Sequence, residues 1–248
     1  MFYCDNLKIR DKYGRERIFR GVNFCVKEHW ANKHLVRKNL LKDDLFEDMK
    51  SVGVNIVRLG VTWAAIEPHE GEYNDDLIAA LKEFIQECAK HNIYVMFDMH
   101  QDLFSYHFHG DGAPKWAIDP SYSNPRQYAI WAEGYFYMQG VQNAFYDFWT
   151  NRNNIQTKFI KMWEHVADKI SDCDNIIGYD YFNEPYIHKD GRKVFLNLAS
   201  NVIKTTYGKD IDFQKYFNNC RDKVGFAKMA MKIYSFIRTK KGLHNILS

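Results

Sequence analysis

Strand-like apolar runs alternate with helix-like amphipathic segments along this chain, and this alternation limits the fold more than any other feature. The runs are short and rich in β-branched residues, as in strands buried within a sheet. They occupy residues 22–26, 54–61, 93–98 and 175–182. The segments with apolar residues at helical spacing occupy residues 42–52, 75–90, 159–170 and 225–238. Strands and helices in alternation indicate βα units and a parallel sheet.

The number of these units predicts part of a barrel. Four βα units are present, and residues 244–247 have the apolar character of a fifth strand at its start. A closed (β/α)8 TIM barrel has eight units in about 250 residues. This chain has 248 residues, but long connections take up much of that length. We therefore predict an α/β fold, the N-terminal half of such a barrel. Residues 1–248 would form one partial barrel domain that lacks strands five to eight.

Composition excludes several classes of protein. The chain is 46% hydrophobic and 26% charged, and no apolar run approaches the ~18 residues of a membrane-spanning helix. A net charge of +3 does not indicate a nucleic-acid partner. Five cysteines without CxxC spacing favour free thiols over a zinc site or a disulfide framework. Charges interrupt the N-terminal residues, so we expect no signal peptide in the sequence as written.

Polar residues follow each predicted strand at the point where it ends. Parallel strands end at one edge of a sheet, and α/β proteins place their functional groups there. The residues in or just after the four strands are Lys27, Glu28, Arg58, Asp98, His100, Gln101, Asp102, Asn183 and Glu184. Aromatic residues fill the loops at the same edge. Carboxylates, amides and histidines beside aromatic walls suit a carbohydrate, because sugar hydroxyls need donors and acceptors while sugar rings stack on aromatic faces.

The tripeptide Asn183-Glu184-Pro185 at the end of the fourth strand is the sharpest motif. It resembles the acid/base motif of the retaining, cellulase-like glycoside hydrolases of family 5, which have a (β/α)8 barrel. The resemblance implies that Glu184 protonates the leaving glycosidic oxygen. It also implies that Asn183 holds the 2-hydroxyl of the sugar under attack, and that Arg58, on the second strand, supports the nucleophile. No cofactor is expected, because the retaining mechanism uses two carboxyl groups and no metal.

Three further segments narrow the resemblance to the endoglycoceramidase branch of that family. They are GVNFCVK ending at Lys27, DMHQDLFSYHFHGDGAPKWA from Asp98, and FYDFWTNRNNIQTKFIKMWEHVA from Phe145. Endoglycoceramidases cut the bond between glycan and ceramide in glycosphingolipids. The resemblance implies that Lys27, His100 and Asp102 contact the sugar nearest the ceramide. Aromatic residues after the third strand would either line an apolar groove for ceramide or pack the loop, and the sequence leaves both open: Phe104, Tyr106, Phe108 and Trp116.

The nucleophile is the missing part of this site. In the family it is a glutamate on strand seven, and Glu184 is the last glutamate of this chain. We therefore expect the 248-residue chain to be inactive alone. Two alternatives remain open: a related β-glucanase or glucosylceramidase of family 5, and an inactive fragment that binds glycosphingolipids.

The expected partner is a glycosphingolipid, met at a membrane surface, with no nucleic acid and no transmembrane segment. The oligomeric state is left open. The resemblance implies a secreted or lumenal location. The histidines His100, His107 and His109 raise a metal site as a hypothesis, but we expect them to be polar loop residues, since the retaining mechanism needs no metal.

Overall fold

The computed structural model describes residues 2–123, 128 and 131–187. All of them except Ile187 lie in a compact unit formed by Met1–Tyr186, and Ile187–Ser248 form a second unit. The predicted helix at 225–238 and the start of a strand at 244–247 therefore lie outside the described residues. The prediction that residues 1–248 form one domain stays a prediction.

The described residues form a four-stranded parallel sheet and an N-terminal hairpin. The strands of the hairpin are β1 (Phe2–Asp5) and β2 (Lys8–Asp11), and those of the sheet are β3 (Gly21–Val26), β4 (Ile56–Thr62), β5 (Tyr94–His100) and β6 (Ile176–Asp180). The sheet order is β3-β4-β5-β6, parallel throughout. This confirms the predicted βα series. Within the described residues the sheet is open and does not close into a barrel.

Seven α-helices accompany these strands in the described part of the chain. They are α1 (Lys33–Leu40), α2 (Asp43–Ser51), α3 (Trp63–Ile66), α4 (Asp75–Lys90), α5 (Gly134–Tyr137), α6 (Gln139–Trp149) and α7 (Ile155–Ile170). None of them is long and apolar enough to cross a membrane. The helices predicted at 42–52, 75–90 and 159–170 correspond to α2, α4 and α7. Helix α1 is not predicted from the sequence, because only Val36 and Leu40 of that helix are buried and they give a weak periodic signal.

Helix α4 shows how the sequence sets these boundaries. The side chain of Asn74 accepts the backbone N–H of Leu77 and caps the first turn. Asp75 in the first turn and Lys90 in the last have the charges that the helix dipole favours at each end. The buried face of the helix then packs onto the sheet and contains Leu77, Ile78, Leu81, Phe84, Ile85 and Cys88.

The alternation of side chains along each strand separates the core from the site. In β4 and β5, Val57, Leu59, Val95 and Phe97 are fully buried in the hydrophobic core. Successive side chains point to opposite faces. The alternate residues of the same strands are therefore turned to the other face, and they include Arg58, Gly60, Asp98 and His100. One face of the sheet is thus apolar and packed, and the other carries the polar groups.

The register of the parallel strands lines up these polar positions in a row. Cys25 pairs with Gly60, Gly60 with Asp98, and Asp98 with Asp180. The sheet therefore brings together residues separated by up to 155 positions in the chain. This row lies close to the carboxyl ends of the strands, where the predicted site residues are found.

Candidate active site

Lys27 follows β3 and forms an ion pair with two carboxylates of the loop after β5. Its Nζ lies 2.5 Å from Oδ2 of Asp102 and 3.4 Å from Oδ2 of Asp111. Burial disfavours the charged ammonium, but the hydrogen bond to Asp102 and the charge of Asp111 outweigh it and raise the pKa of Lys27. The Lys27 side chain keeps 43% of its surface exposed. It is thus a charged donor held in place on one side and open to solvent on the other.

His100 lies between two carboxylates at the end of β5. Its Nδ1 is 2.8 Å from Oδ2 of Asp98, and its Nε2 is 3.6 Å from Oδ2 of Asp102. Burial opposes a charge on the ring, but the hydrogen bonds to Asp102, Asp98 and Cys25 raise the pKa of His100 to about 11. The imidazole is therefore a cation at neutral pH. It acts as a fixed positive charge and hydrogen-bond donor rather than as a base.

Arg58 on β4 joins three strands through its guanidinium. One terminal nitrogen, Nη2, lies 2.8 Å from Oδ1 of Asp98, 2.7 Å from Oδ2 of Asp180 and 2.8 Å from Oδ1 of Asn183. Burial opposes the charge on Arg58, but its hydrogen bond to Asp180 and the charge of Asp98 outweigh burial and raise the pKa of Arg58 above its ordinary value. Because Asp98 is fully buried, removal of this arginine would leave that carboxylate with less compensation.

Asn183 and Glu184 follow β6, and Gln101 fixes their backbone. The Nε2 of Gln101 donates to the carbonyl oxygens of Asn183 at 2.6 Å and Glu184 at 3.1 Å. Asn183 is buried, and its Nδ2 donates to the carbonyl of Gln101. Glu184 is exposed and has φ of 39°, in the left-handed region that costs a non-glycine residue free energy. The surrounding hydrogen bonds hold the motif in this strained conformation.

The structure therefore brings together five of the residues predicted for the site. Lys27, His100 and Asp102 form one linked cluster, and Arg58 and Asn183 form a second. Asp98 joins the two clusters because it contacts both Arg58 and His100. Glu184 follows directly after Asn183. The roles assigned to these residues by resemblance stay predictions.

Trp116, the remaining predicted binding residue, has different contacts. Its Nε1 donates to the carbonyl of Glu67 at 3.0 Å, and its ring packs edge-on against Trp63 at 5.3 Å. The Nζ of Lys158 lies over the same ring. These contacts attach the loop after β5 to the loop after β4, and none of them is to Lys27, His100 or Asp102. A binding role for Trp116 stays a prediction.

The other loop aromatics divide between packing and the surface. Phe104 and Phe108 are fully buried in the core, so for these two the packing alternative is confirmed. Tyr106 is half-buried and stacks on His29 with ring centroids 3.9 Å apart. It remains a candidate for contact with an apolar ligand.

The three loop histidines do not share one site. The Nε2 of His107 contacts the carbonyl of Tyr122, and His109 is a left-handed residue at the end of a short 3₁₀ turn. Among the described residues, the groups that could hold a metal include His100 but neither His107 nor His109. In one of them, ligand atoms of His100, Asp102 and Asp111 lie within 4.8 Å of one another. The ammonium of Lys27 contacts both carboxylates of that group.

Two residues of this site were not among the predicted binding residues. The sequence indicates Gln101 only as one of the polar residues at a strand end, and it does not distinguish Asp111 from other loop residues. The signal for Asp111 was its position between two glycines, Gly110 and Gly112, since such a segment lets the backbone approach closely. The signal for Gln101 is its place in the segment DMHQDLFSYHFHGDGAPKWA, between His100 and Asp102.

Charged donors, carboxylates and an amide at the carboxyl edge of a parallel sheet form a site that can grip polyhydroxyl groups. A glutamate beside them can exchange a proton. The fold and the site define an α/β protein of the glycoside hydrolase type, built on part of a (β/α)8 barrel. The chain belongs to glycosyl hydrolase family 5, because the model of that family, described as Cellulase (glycosyl hydrolase family 5), matches residues 11–239.

Similar proteins include endoglycoceramidases. The chain is 29% identical over 200 residues to one from Hydra vulgaris and 28% identical over 200 residues to one from Cyanea nozakii, matching 71% of this chain in each. It also resembles the structure of endo-glycoceramidase II from Rhodococcus sp. in complex with ganglioside GM3, with TM-score 0.61, 28% identity, and 71% of this chain and 42% of that chain covered. The chain spans 38% and 40% of the length of the two curated relatives.

Proposed function

We propose that this protein is part of a retaining endo-β-glycosidase that hydrolyses the bond between oligosaccharide and ceramide in glycosphingolipids. The observation that carries the proposal is the junction after β6. There Glu184 follows an asparagine whose backbone is fixed by Gln101 and whose side chain is fixed by Arg58. The cluster of Lys27, His100 and Asp102 lies at the carboxyl ends of β3 and β5, on either side of β4. The similarity to endoglycoceramidases over 71% of the chain supports the choice of substrate class.

Each residue has a role in this proposal. Glu184 gives its proton to the glycosidic oxygen as the bond breaks and takes a proton from water in the second step. Asn183 has one amide N–H left after its bond to the carbonyl of Gln101, and this N–H would donate to the 2-hydroxyl. Lys27 and His100 donate to other hydroxyls of the same sugar, and the carboxylate of Asp102 accepts from those hydroxyls.

The nucleophile completes the proposal. Retaining hydrolysis needs a second carboxylate about 5–5.5 Å from the acid. We assign this role to a carboxylate outside the described residues. The chain would then supply the acid/base and part of the sugar site, and the full enzyme would form only together with that carboxylate. We also propose that the glycolipid is met at a membrane surface, in a secreted or lumenal compartment.

Replacement of Glu184 tests the proposal. We expect Glu184→Gln in the full-length protein to lower release of free oligosaccharide from ganglioside GM3 by about a hundred- to ten-thousand-fold, the range of general acid/base catalysis. Glu164→Gln, at an exposed position of α7, is the matched control and should leave the rate unchanged. A loss of less than about tenfold would remove Glu184 from the acid/base role.

A panel of three substrates separates the rival functions. Release from the ganglioside, but not from a soluble β-glucan, would support the endoglycoceramidase. Preferred release of glucose from glucosylceramide would support a glucosylceramidase, and turnover of the glucan alone would support a β-glucanase. Binding to vesicles that contain the ganglioside, without turnover of any substrate, would support a glycolipid-binding protein.

A further inference from the structure

The loop segment Gly110-Asp111-Gly112 is seated tightly against the residues that follow β5. A Cβ on Gly110 would lie 1.8 Å from the carbonyl oxygen of Asp102. Gly112 has φ of +118°, and a Cβ there would lie 2.6 Å from the Cβ of Gln101. No larger residue fits at either position without a shift of the backbone. The two glycines therefore fix the place of Asp111 between them.

Asp111 and Asp102 lie directly opposite each other. The N–H of Asp111 donates to the carbonyl of Asp102 at 2.8 Å, and the N–H of Asp102 donates back at 3.1 Å. Like charges at directly opposed positions destabilise a pair of strands. Here the ammonium of Lys27 contacts both carboxylates and offsets that repulsion.

The carboxyl group of Asp111 is poorly accommodated by the fold. The residue is 9% exposed, and its Oδ1 has no hydrogen-bond partner among the residues that the structure describes. Burial raises the pKa of Asp111 to about 6, against the attraction of Lys27 and together with the repulsion of Asp102. A buried polar atom left unpaired lowers stability. Groups kept under such conditions are concentrated at functional sites.

We infer that Asp111 is a positioning residue of the sugar site. Asp111 holds the ammonium of Lys27 in place, so that this ammonium donates to a hydroxyl of the sugar next to the ceramide. The inference rests on the proposed function and deepens it. A lysine has a flexible stem and three donors. One anchor, Asp102, leaves the stem free to swing, whereas two anchors on one rigid loop fix the nitrogen. The third N–H then points to the open side of the cluster, and Asp102 accepts from the same hydroxyl.

The charged groups around Asp111 determine how the contact between Asp111 and Lys27 depends on pH. The groups that face it are Lys27, from the segment after β3, His100, from the end of β5, and Asp102, from the loop after β5. Lys27 and His100 remain protonated at neutral pH because their pKa values are raised, and Asp102 remains ionised because its pKa is lowered by His100 and Lys27 despite its burial. Asp111 is therefore the member of this group that changes charge near pH 6, and Lys27 loses its second anchor below that pH.

Kinetics of the full-length protein carrying Asp111→Asn test the role in sugar binding. With lactosylceramide in detergent micelles at pH 7, we expect KM to rise about tenfold, which corresponds to about 1.4 kcal/mol, while kcat changes less than about threefold. The KM of the unaltered protein should rise as the pH falls through about 6, and that of the variant should stay flat. Asp76→Asn removes a matched carboxylate–lysine pair on the surface, with Lys33 at 2.7 Å, and should change neither parameter.

Thermal unfolding separates positioning from a structural role. An uncharged asparagine removes the buried carboxylate, so the melting temperature of Asp111→Asn at pH 7 should equal or exceed that of the unaltered protein. A lower melting temperature with an equal fall in kcat and kcat/KM would show that Asp111 only supports the loop, and would overturn the inference.

A spectroscopic measurement decides the inference even if no glycolipid is hydrolysed. The ¹³Cε and ¹⁵Nζ resonances of Lys27, assigned by comparison with Lys27→Arg, should shift with pH with a midpoint near 6, and Asp111→Asn should abolish that transition. Absence of turnover in the unaltered protein, with the transition present, would reject the proposed function while leaving Asp111 as the anchor of Lys27. Absence of the transition would reject the positioning role whatever the activity.

Discussion

The side-chain amide of Gln101 lies 2.6 Å from the carbonyl oxygen of Asn183, so the end of β5 is tied directly to the end of β6. The same nitrogen reaches the carbonyl of Glu184, while Oε1 of Gln101 accepts the N–H of Phe104 at 2.7 Å. The hydroxyl of Tyr135 also contacts this side chain. One fully buried glutamine thus sets the backbone of the proposed acid/base residue and of the loop after β5 together.

Replacement of Gln101 by leucine should destabilise the protein by about 2 kcal/mol or more, because the mutation leaves buried backbone groups without partners. Urea unfolding measures the change. Gln139→Leu is the control, since Gln139 is exposed at the start of α6 and its side chain bonds only to Asn143 among the described contacts. The control should stay within about 0.5 kcal/mol. Equal effects of the two changes would show that the Gln101 hydrogen bonds do not hold this junction.

The charge on His100 should make stability depend on pH. Its pKa is about 11 in the folded protein and about 6.5 ordinarily. A raised pKa stabilises the folded state fully below the ordinary value, and this contribution is lost as the pH rises toward the folded value. The unfolding free energy should therefore fall between about pH 6.5 and 8.5, by up to about 1.4 kcal/mol per pH unit. The window stops at the ordinary pKa of thiols, about 8.5, so ionisation of cysteines affects only its upper end.

Denaturant unfolding at several pH values in that window checks the prediction. His100→Gln removes the titrating group and keeps a donor near Asp98, so the slope should become shallower in this variant. An unchanged slope would mean that the protonated imidazole between Asp98 and Asp102 does not contribute to the folded state.

Gly60 should be intolerant of even a methyl group. A Cβ at this position would lie 2.3 Å from Sγ of Cys25 and 2.9 Å from Oδ2 of Asp98. We expect Gly60→Ala to destabilise the protein by about 1–3 kcal/mol through overpacking. The matched control is Gly178→Ala on β6, where the added Cβ meets only Cγ of Met96 at 3.8 Å, an ordinary contact.

Thermal unfolding of the single variants and of a double variant tests the cause. Cys25→Ala in the Gly60→Ala background removes the nearest clashing atom, and it should recover part of the lost stability. If Gly60→Ala lowers the melting temperature no more than Gly178→Ala does, the space between Cys25, Gly60 and Asp98 is larger than these distances indicate.

Local patterns were sufficient to predict most of the sheet and three of its helices. The spacing of apolar residues in 75–90 reproduced the bounds of α4, because a capped amphipathic helix leaves a strong periodic signal. Periodicity predicts neither the hairpin of β1 and β2 nor the helices α5 and α6, which lie within the connection predicted at residues 99–154. Burial in these segments depends on partners that are distant in sequence, such as Phe2 against Tyr94.

The sequence by itself determined which polar residues end each strand, because a parallel sheet places these ends at one edge. It therefore indicated Lys27, Arg58, His100, Asp102, Asn183 and Glu184 as a group. Only the tertiary structure decided how they are joined. Three features depend on strand register and on a loop folded back onto β5. They are the hydrogen bond from Gln101 to Asn183, the contact of Lys27 with Asp111, and the burial of Phe104 and Phe108. These contacts join distant residues at distances of a few ångströms, and no local periodicity specifies such distances.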